Sequence, residues 1–256
     1  MLVNKITDSL KPHVWLAVWL NFVSNTNEHG CIKNCSFCLF RKKPVYMCPT
    51  KADLIEFLQQ YKDKSKYSHI LISGGGDPLF EFNKNKNKIL MILDTIKQLG
   101  FTPVMQSYEL DVIDQYFDTL FKDINTYYFS TEGYDEKLIK LADKLINNNK
   151  QVHISKVVNF SNKESEIDFN SINNWISKYL DHSTRLHLHE NYTCCFDPQT
   201  SIKLYNYFAN LYDTKKVCFH QHRRTRHKHI VLINNEVWAP FEYFHTTLLN
   251  DYNNFN

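Results

Sequence analysis

Cys31, Cys35 and Cys38 stand in the run Gly30-Cys31-Ile32-Lys33-Asn34-Cys35-Ser36-Phe37-Cys38, a C-x3-C-x2-C triplet with an aromatic residue just before its last cysteine. Thiolates this close along the chain can bind one metal centre without help from distant segments. Structural zinc sites and ordinary ferredoxin clusters are closed by four protein ligands, so a group of three points to a centre with one position open. An open position serves chemistry rather than scaffolding. The spacing alone leaves two other readings, a zinc loop that recruits Cys48 as its fourth ligand and three incidental cysteines.

Further runs carry residue types suited to chemistry. Ser73-Gly74-Gly75-Gly76-Asp77-Pro78-Leu79 directly follows the apolar run Ile70-Leu71-Ile72. Glycines there let backbone approach a ligand closely and expose N–H and C=O groups to ammonium or carboxylate; the bland reading is a turn that closes a strand. Ser130-Thr131-Glu132-Gly133-Tyr134-Asp135 follows another apolar run and also suits a loop capping the next helix. His187, His189 and Glu190 end a later strand and are candidates for facing a ligand, against the reading of satisfied structural histidines. Arg223, Arg224 and Arg226 lie in a ten-residue segment, His220 to His229, with four cations and four histidines. Guanidinium forks suit phosphate and carboxylate. Cys218, His220 and His222 alternate and can share a strand face, either on a metal or toward solvent or an anion. Cys194, Cys195 and Cys218 invite a second cluster, a set too sparse in cysteine for one to be expected.

The elements that position these residues alternate short β-rich runs with amphipathic helical ones, the pattern of a parallel sheet with crossover helices. Val14 to Phe22 is apolar on both faces, as a covered parallel strand should be, and delivers the chain into the cysteine loop. A helix from Lys51 to Tyr61, N-capped by Thr50, leads to the strand Ser68 to Ser73. Then follow helix Asn85 to Leu99 and strand Pro103 to Ser107, helix Asp111 to Phe121 and strand Thr126 to Ser130, helix Asp135 to Asn147 and strand Val152 to Val158, and helix Phe169 to Leu180 and strand Arg185 to His189. A last helix spans Gln199 to Tyr212. Ile230 to Ile233 and Val237 to Phe241 predict a terminal β-hairpin. The expected domains are 1–212, the β/α domain, and 213–256, a basic hairpin extension over it.

The triplet, the Gly75-Gly76-Asp77-Pro78 run one β/α unit later and the segment at Ser130 occur together in the order that resembles the radical S-adenosylmethionine (SAM) superfamily. The resemblance covers positions 14 to 158. It implies an α/β fold, a partial (β/α)6 barrel with chemistry at the C-terminal ends of its strands. It further implies that Cys31, Cys35 and Cys38 bind one [4Fe-4S] cluster and that SAM chelates the fourth iron. Gly75, Gly76 and Asp77 would hold the methionine end, in a run with Asp where the family commonly has Glu. Ser130 would hold the ribose, in a segment where Glu132 stands for the commoner Asp. Phe37 and Val157 would flank the adenine. The implied reaction is reductive cleavage of SAM to methionine and a 5′-deoxyadenosyl radical that abstracts hydrogen from substrate, with an external one-electron donor of flavodoxin or ferredoxin type. No protein general base is assigned.

His187, His189, Arg223, Arg224 and Arg226 lean toward an anionic, nucleotide-like substrate or a nucleic-acid base. Alternatives within the superfamily are a peptide-modifying enzyme and a glycyl-radical activase; outside it stands a zinc or iron-sulfur module that recognises nucleic acid. The 256 residues suffice for a full core, and a net charge of +3 favours no class of partner. Seven cysteines without a regular framework and a start lacking a signal-peptide pattern exclude a secreted disulfide scaffold. The longest apolar run, His13 to Val23, is too short to span a bilayer. The expectation is a soluble cytoplasmic protein.

Overall fold

A computed structural model describes residues 3–4, 14–24, 29–33, 35, 38, 40, 45–62, 65–158, 167–190, 198–220 and 229–238. Along these the elements run β1 (Val3–Asn4), β2 (Val14–Trp19), α1 (Lys51–Tyr61), β3 (Ser65–Ser73), α2 (Phe82–Gln98), β4 (Thr102–Gln106), α3 (Leu110–Tyr116), β5 (Thr126–Ser130), α4 (Glu136–Asn147), β6 (Gln151–Val158), α5 (Phe169–Tyr179), β7 (Arg185–Glu190), α6 (Pro198–Leu211), β8 (Val217–His220), β9 (His229–Ile233) and β10 (Glu236–Trp238). The protein is mixed α/β; the pairs β1–β10, β2–β9, β2–β3, β3–β4, β5–β6, β6–β7 and β7–β8 are parallel and the β9–β10 hairpin is antiparallel.

The chain forms two compact units, Met1–Ile124 with Arg226–Asn256, and Asn125–Thr225. In the first the strands run in the order β1-β10-β9-β2-β3-β4. Leu16, Ala17, Val18 and Leu20 are buried on both faces of β2 and its exit, as expected of a covered parallel strand. Helix α1 starts at Thr50, whose hydroxyl accepts from the Asp53 amide while the Asp53 carboxylate accepts from the Thr50 amide, a complete capping box. It buries Leu54, Phe57, Leu58 and Tyr61.

The segment expected as an extension from residue 213 is divided between the units. β8 pairs with β7, and β9 pairs in parallel with β2, Trp15 to Val18 lying opposite His229 to Leu232. The reason is burial: Ile230, Val231, Leu232 and Ile233 are all buried, so this strand needs cover on both faces and takes a place inside the sheet. The hairpin turn holds Asn234 at φ 51°, a left-handed conformation that asparagine tolerates.

The second unit orders its strands β5-β6-β7-β8, all parallel. Tyr127, Phe129, Ile154, Leu186 and Leu188 form its apolar face with Phe219, against which Phe208 of α6 stacks at 6.1 Å. Alternation therefore puts Tyr128, Ser130, His153, Ser155, Val157, His187, His189, Cys218 and His220 on the opposite face.

Sequence-based boundaries shift modestly. The second helix begins at Phe82 rather than Asn85, because Phe82 packs on Tyr116 and Phe121 at 5.0 and 5.6 Å and joins the core. The helix expected to run evenly to Phe121 widens after Tyr116 into a π-helical turn, Phe117–Phe121, with both end residues buried. No helix among the described residues is long and apolar enough to cross a membrane.

Candidate functional site

In the first unit the cysteine loop leaves β2 and the glycine run leaves β3, its neighbour, so both emerge at the same strand ends. Register pairs Trp19 with Ser73, and the Leu20 amide donates to the Ser73 carbonyl at 2.9 Å. Beyond that point the loops are stitched directly: the Asp77 amide donates to the Gly30 carbonyl at 2.7 Å, one residue before Cys31. Glycine is obligatory in this seam. A methyl group at Gly74 would stand 2.1 Å from the Leu20 carbonyl oxygen, and one at Gly76 would stand 2.3 Å from the Gly30 carbonyl oxygen. The sequence suggests glycines that let backbone approach a ligand; the close approach that the structure shows is between two segments of the protein itself.

Cys31, Cys35 and Cys38 are all partly buried free thiols. The Lys33 amide donates to Cys31 Sγ at 3.3 Å and the Cys38 amide to the Cys35 carbonyl at 3.1 Å. Burial pushes the Cys31 thiol up to about 12, with Asp77 and the other two cysteines adding to it and the Lys33 hydrogen bond opposing it. Such a pocket gathers negative potential, and a bound cation reverses the effect by drawing the thiolates out. Behind the loop, Cys38 packs on a cluster of Ala17, Trp19, Phe40, Met47, Val231 and Ile233. Asn234 in the β9–β10 turn accepts from the Cys48 amide at 2.7 Å and donates to the Tyr46 carbonyl at 3.2 Å.

Asp77 occupies the centre of the seam. One carboxylate oxygen accepts from the Ser107 hydroxyl at 2.6 Å and the Leu79 amide at 2.9 Å, and the other accepts from the Tyr108 amide at 2.6 Å. Burial pushes its pKa above the ordinary carboxylate range, while these three donors favour the charged form. Its side chain therefore ties the glycine run to the end of β4. Lys33 extends the tie, its ammonium lying 3.2 Å from the centre of the Tyr108 ring. Glu109 stands beside this hub; burial first, then Asp77 and Asp111, push its carboxyl up to about 7, and its Oε1 has no partner among the described residues.

Asn21 was not marked by the sequence. It is fully buried, and among the described residues neither side-chain atom has a partner. Its amide fills the space that side chains at Gly30 and Gly76 would occupy, 1.7 and 2.4 Å from their ideal Cβ positions. An unpaired buried amide costs on the order of 1–3 kcal/mol, and this one lies between the cysteine loop and the glycine run. The available signal was position: Asn21 is the first polar residue after the apolar strand.

In the second unit Ser130 ends β5 on the polar face, opposite Ser155, and Val157 lies opposite His189. The loop after Ser130 is pinned by Tyr179, whose hydroxyl donates to the Gly133 carbonyl and accepts from the Asp135 amide, both at 2.8 Å. Asp135 in turn caps α4 by accepting from the Leu138 amide. His187 and His189 share their face with His153 and His220, which complete a row of near-parallel rings. His153 escaped sequence reasoning because only strand register reveals that it neighbours His187. Phe37, Arg223, Arg224, Arg226, Cys194 and Cys195 lie outside the described residues.

Burial, with Arg185 adding to it, holds the His153 imidazole down to about 4 from the ordinary 6.5. His187 is lowered in the same direction by burial first and then by its histidine neighbours and Arg185. The unfolded chain takes up a proton as pH falls through about 6.5, but folded His153 does not until about 4. Stability fully present above that window is thus lost as pH falls across it, by roughly 3 kcal/mol for His153. Denaturant titrations at neutral pH and near pH 4 should record the loss, and His153→Gln should flatten the slope.

No protein-family model and no curated protein sequence matches the chain. Among solved structures it is similar to Streptococcus suis SuiB bound to S-adenosylmethionine, with a TM-score of 0.60 and 12% sequence identity over 92% of this chain. The likeness is one of fold. It covers 62% of the SuiB chain, so the match spans less than two thirds of that protein.

Proposed function

We propose that this chain is a radical SAM enzyme built on a partial (β/α)6 barrel. The observation that carries the proposal is the seam of the first unit, where the Asp77 amide joins the glycine run to the residue preceding Cys31 at 2.7 Å. The fold shared with SAM-bound SuiB supports it. The residues present fit the cofactors. Three part-buried thiols offer a set with one ligand too few, the glycine cradle admits no side chain, and Asn21 keeps a buried amide without a protein partner among the described residues.

When bound, a [4Fe-4S] cluster and SAM supply reductive cleavage to methionine and a 5′-deoxyadenosyl radical that takes hydrogen from a substrate. Cys31, Cys35 and Cys38 provide the thiolates. Backbone at Gly75 and Gly76 receives the methionine end, and Asp77, its own amide committed to the Gly30 carbonyl, holds that backbone in place through Ser107 and Tyr108. Asn21 contributes one side-chain hydrogen bond to the same polar end. Ser130 binds the ribose, on a loop that Tyr179 steadies, and Phe37 and Val157 flank the adenine. His187, His189, Arg223, Arg224 and Arg226 face an anionic, nucleotide-like substrate or a nucleic-acid base, and a flavodoxin- or ferredoxin-type protein delivers the electron.

The test is anaerobic reconstitution with iron and sulfide followed by reduction in the presence of SAM. Release of 5′-deoxyadenosine and methionine is expected, and Cys35→Ala should abolish it with the circular dichroism spectrum intact. Bound zinc in place of iron, or a cluster whose spectrum ignores SAM, overturns the proposal. Asn21→Leu separates binding from folding. Replacing an unpaired amide by an apolar group of similar shape should leave the melting temperature unchanged or raised, while SAM affinity falls about tenfold for one lost hydrogen bond to a charged ligand.

A further inference from the structure

We infer that His187, His189 and His220 form a binding site for a divalent transition cation of the zinc class, with His153 positioning His187. One ring nitrogen from each of the three lies within 4.8 Å of the others. The strands dictate the grouping: side chains two apart on β7 share a face, and register sets His189 beside His220 on β8. The rings are held almost parallel, His187 and His220 at 18°, His189 and His220 at 11°, with centroids 5.0 and 4.6 Å apart.

The nitrogen positions suit coordination. His187 Nδ1 lies 2.7 Å from His220 Nε2, a hydrogen bond with one proton between the two nitrogens, and a metal ion would take the place of that proton as the rings turn toward it. Around a tetrahedral zinc ion, imidazole nitrogens at about 2.0–2.1 Å from the metal stand about 3.3 Å from each other. Opening this pair by a fraction of an ångström asks little of His220, which is only partly buried. The other nitrogen of His187, Nε2, lies 2.9 Å from His153 Nδ1. With the proton on His187 Nε2 and His153 Nδ1 accepting it, His187 Nδ1 carries the lone pair that here accepts from His220 Nε2 and would bind a metal that displaces the His220 proton. A metal-binding histidine characteristically has such a partner for its remote nitrogen. His153 is itself fixed under the Tyr128 ring at 4.5 Å.

The site has three protein ligands. Cys218 shares the polar face but donates its thiol to the Thr214 carbonyl at 3.0 Å, and the Arg185 guanidinium is drawn to the Lys215 carbonyl at 2.7 Å. A three-histidine set leaves a fourth position for water or a ligand oxygen. The site would therefore accept a carbonyl, carboxylate or phosphate oxygen, on the polar face that also carries Ser130 and Val157. All of its residues belong to the second unit, and the inference does not depend on what the cysteine loop binds.

The test uses the full-length protein with its cysteine loop loaded with iron, exposed to Zn2+, desalted and analysed for metal. One equivalent of zinc beyond the iron is expected, with a rise in melting temperature on adding Zn2+. His189→Ala and His220→Ala, both at partly exposed positions, should lose the zinc and the thermal shift while keeping the wild-type circular dichroism. His153→Gln should bind zinc about 10- to 100-fold more weakly. Cobalt substitution should give visible bands of a tetrahedral nitrogen and oxygen site without thiolate charge transfer. Absence of zinc beyond the iron, which leaves a hydrogen-bonded row of imidazoles, would overturn the inference. So would a zinc content in both alanine variants equal to that of the wild type, or cobalt bands that neither variant alters. SAM cleavage is not a readout, so this inference and the proposed reaction fail or succeed separately.

Discussion

Gly76→Ala is expected to abolish metal loading of the cysteine loop, whereas Gly133→Ala should leave it unchanged. The methyl at 76 meets the Gly30 carbonyl oxygen at 2.3 Å and Asn21 Oδ1 at 2.4 Å, distances that non-bonded atoms do not tolerate. The asparagine side chain can turn; the carbonyl cannot move without breaking its hydrogen bond to the Asp77 amide and shifting Cys31, the next residue. Overpacking of this kind costs about 1–3 kcal/mol, and the strain falls on the loop that must gather three thiols. At Gly133 nothing lies within 4 Å of the added methyl. Gly75→Ala should fall between, because its methyl presses on the Phe40 ring and the Met47 sulfur, side chains able to give way. Iron content after reconstitution and the denaturation midpoint read the series. Equal metal loading in Gly76→Ala and Gly133→Ala would remove the seam from the account of the site.

Asp77→Ala is expected to cost on the order of 4 kcal/mol of stability. The substitution strips acceptors from a buried hydroxyl and two buried amides, and each orphaned donor costs about 1–3 kcal/mol. Asp77→Asn keeps one oxygen but turns an NH2 group toward a donor, so its loss should be clearly smaller than alanine's. The effect should also reach the other side of the hub: with Tyr108 released, the contact between its ring and Lys33 loosens the cysteine loop. Urea midpoints of the two variants check the order. Equal stability of Asp77→Ala and the parent protein would show that the carboxylate is not the tie between β3 and β4.

Much of the fold was legible because it rests on local signals. The β/α alternation, the Thr50 cap and the strand Thr126 to Ser130 all follow from periodicity and capping chemistry within a few residues. The triplet and the glycine run were legible for the same reason, each being a short motif at a strand end. What escaped depends on pairing between distant segments. The Ile230 to Ile233 run reads equally well as an outer hairpin or a central strand until β2 is known to be its neighbour. Asn21 becomes notable only when Gly30 and Gly76 are folded against it. The row of histidines exists only through the register of three strands, whose members are spread from position 153 to 220. The side chain of Asp77 illustrates a finer limit. Its acidic nature was visible, but its attachment to Ser107 and Tyr108, thirty residues on, was not.

The place of β9 beside β2 has a consequence for how the protein is made. A ribosome releases the cysteine loop early and the strand that backs it some two hundred residues later, after the whole of Asn125–Thr225 has emerged. Chains begin to fold domain by domain from the N-terminus during synthesis. Here the contiguous second unit can be completed first, while β2 waits with one edge bare and the thiols lack Val231 and Ile233 behind them. Packing behind the cysteine loop is thereby deferred until position 233 has emerged, and a chain cut short before position 229 would carry the cysteine motif without the packing on which it rests.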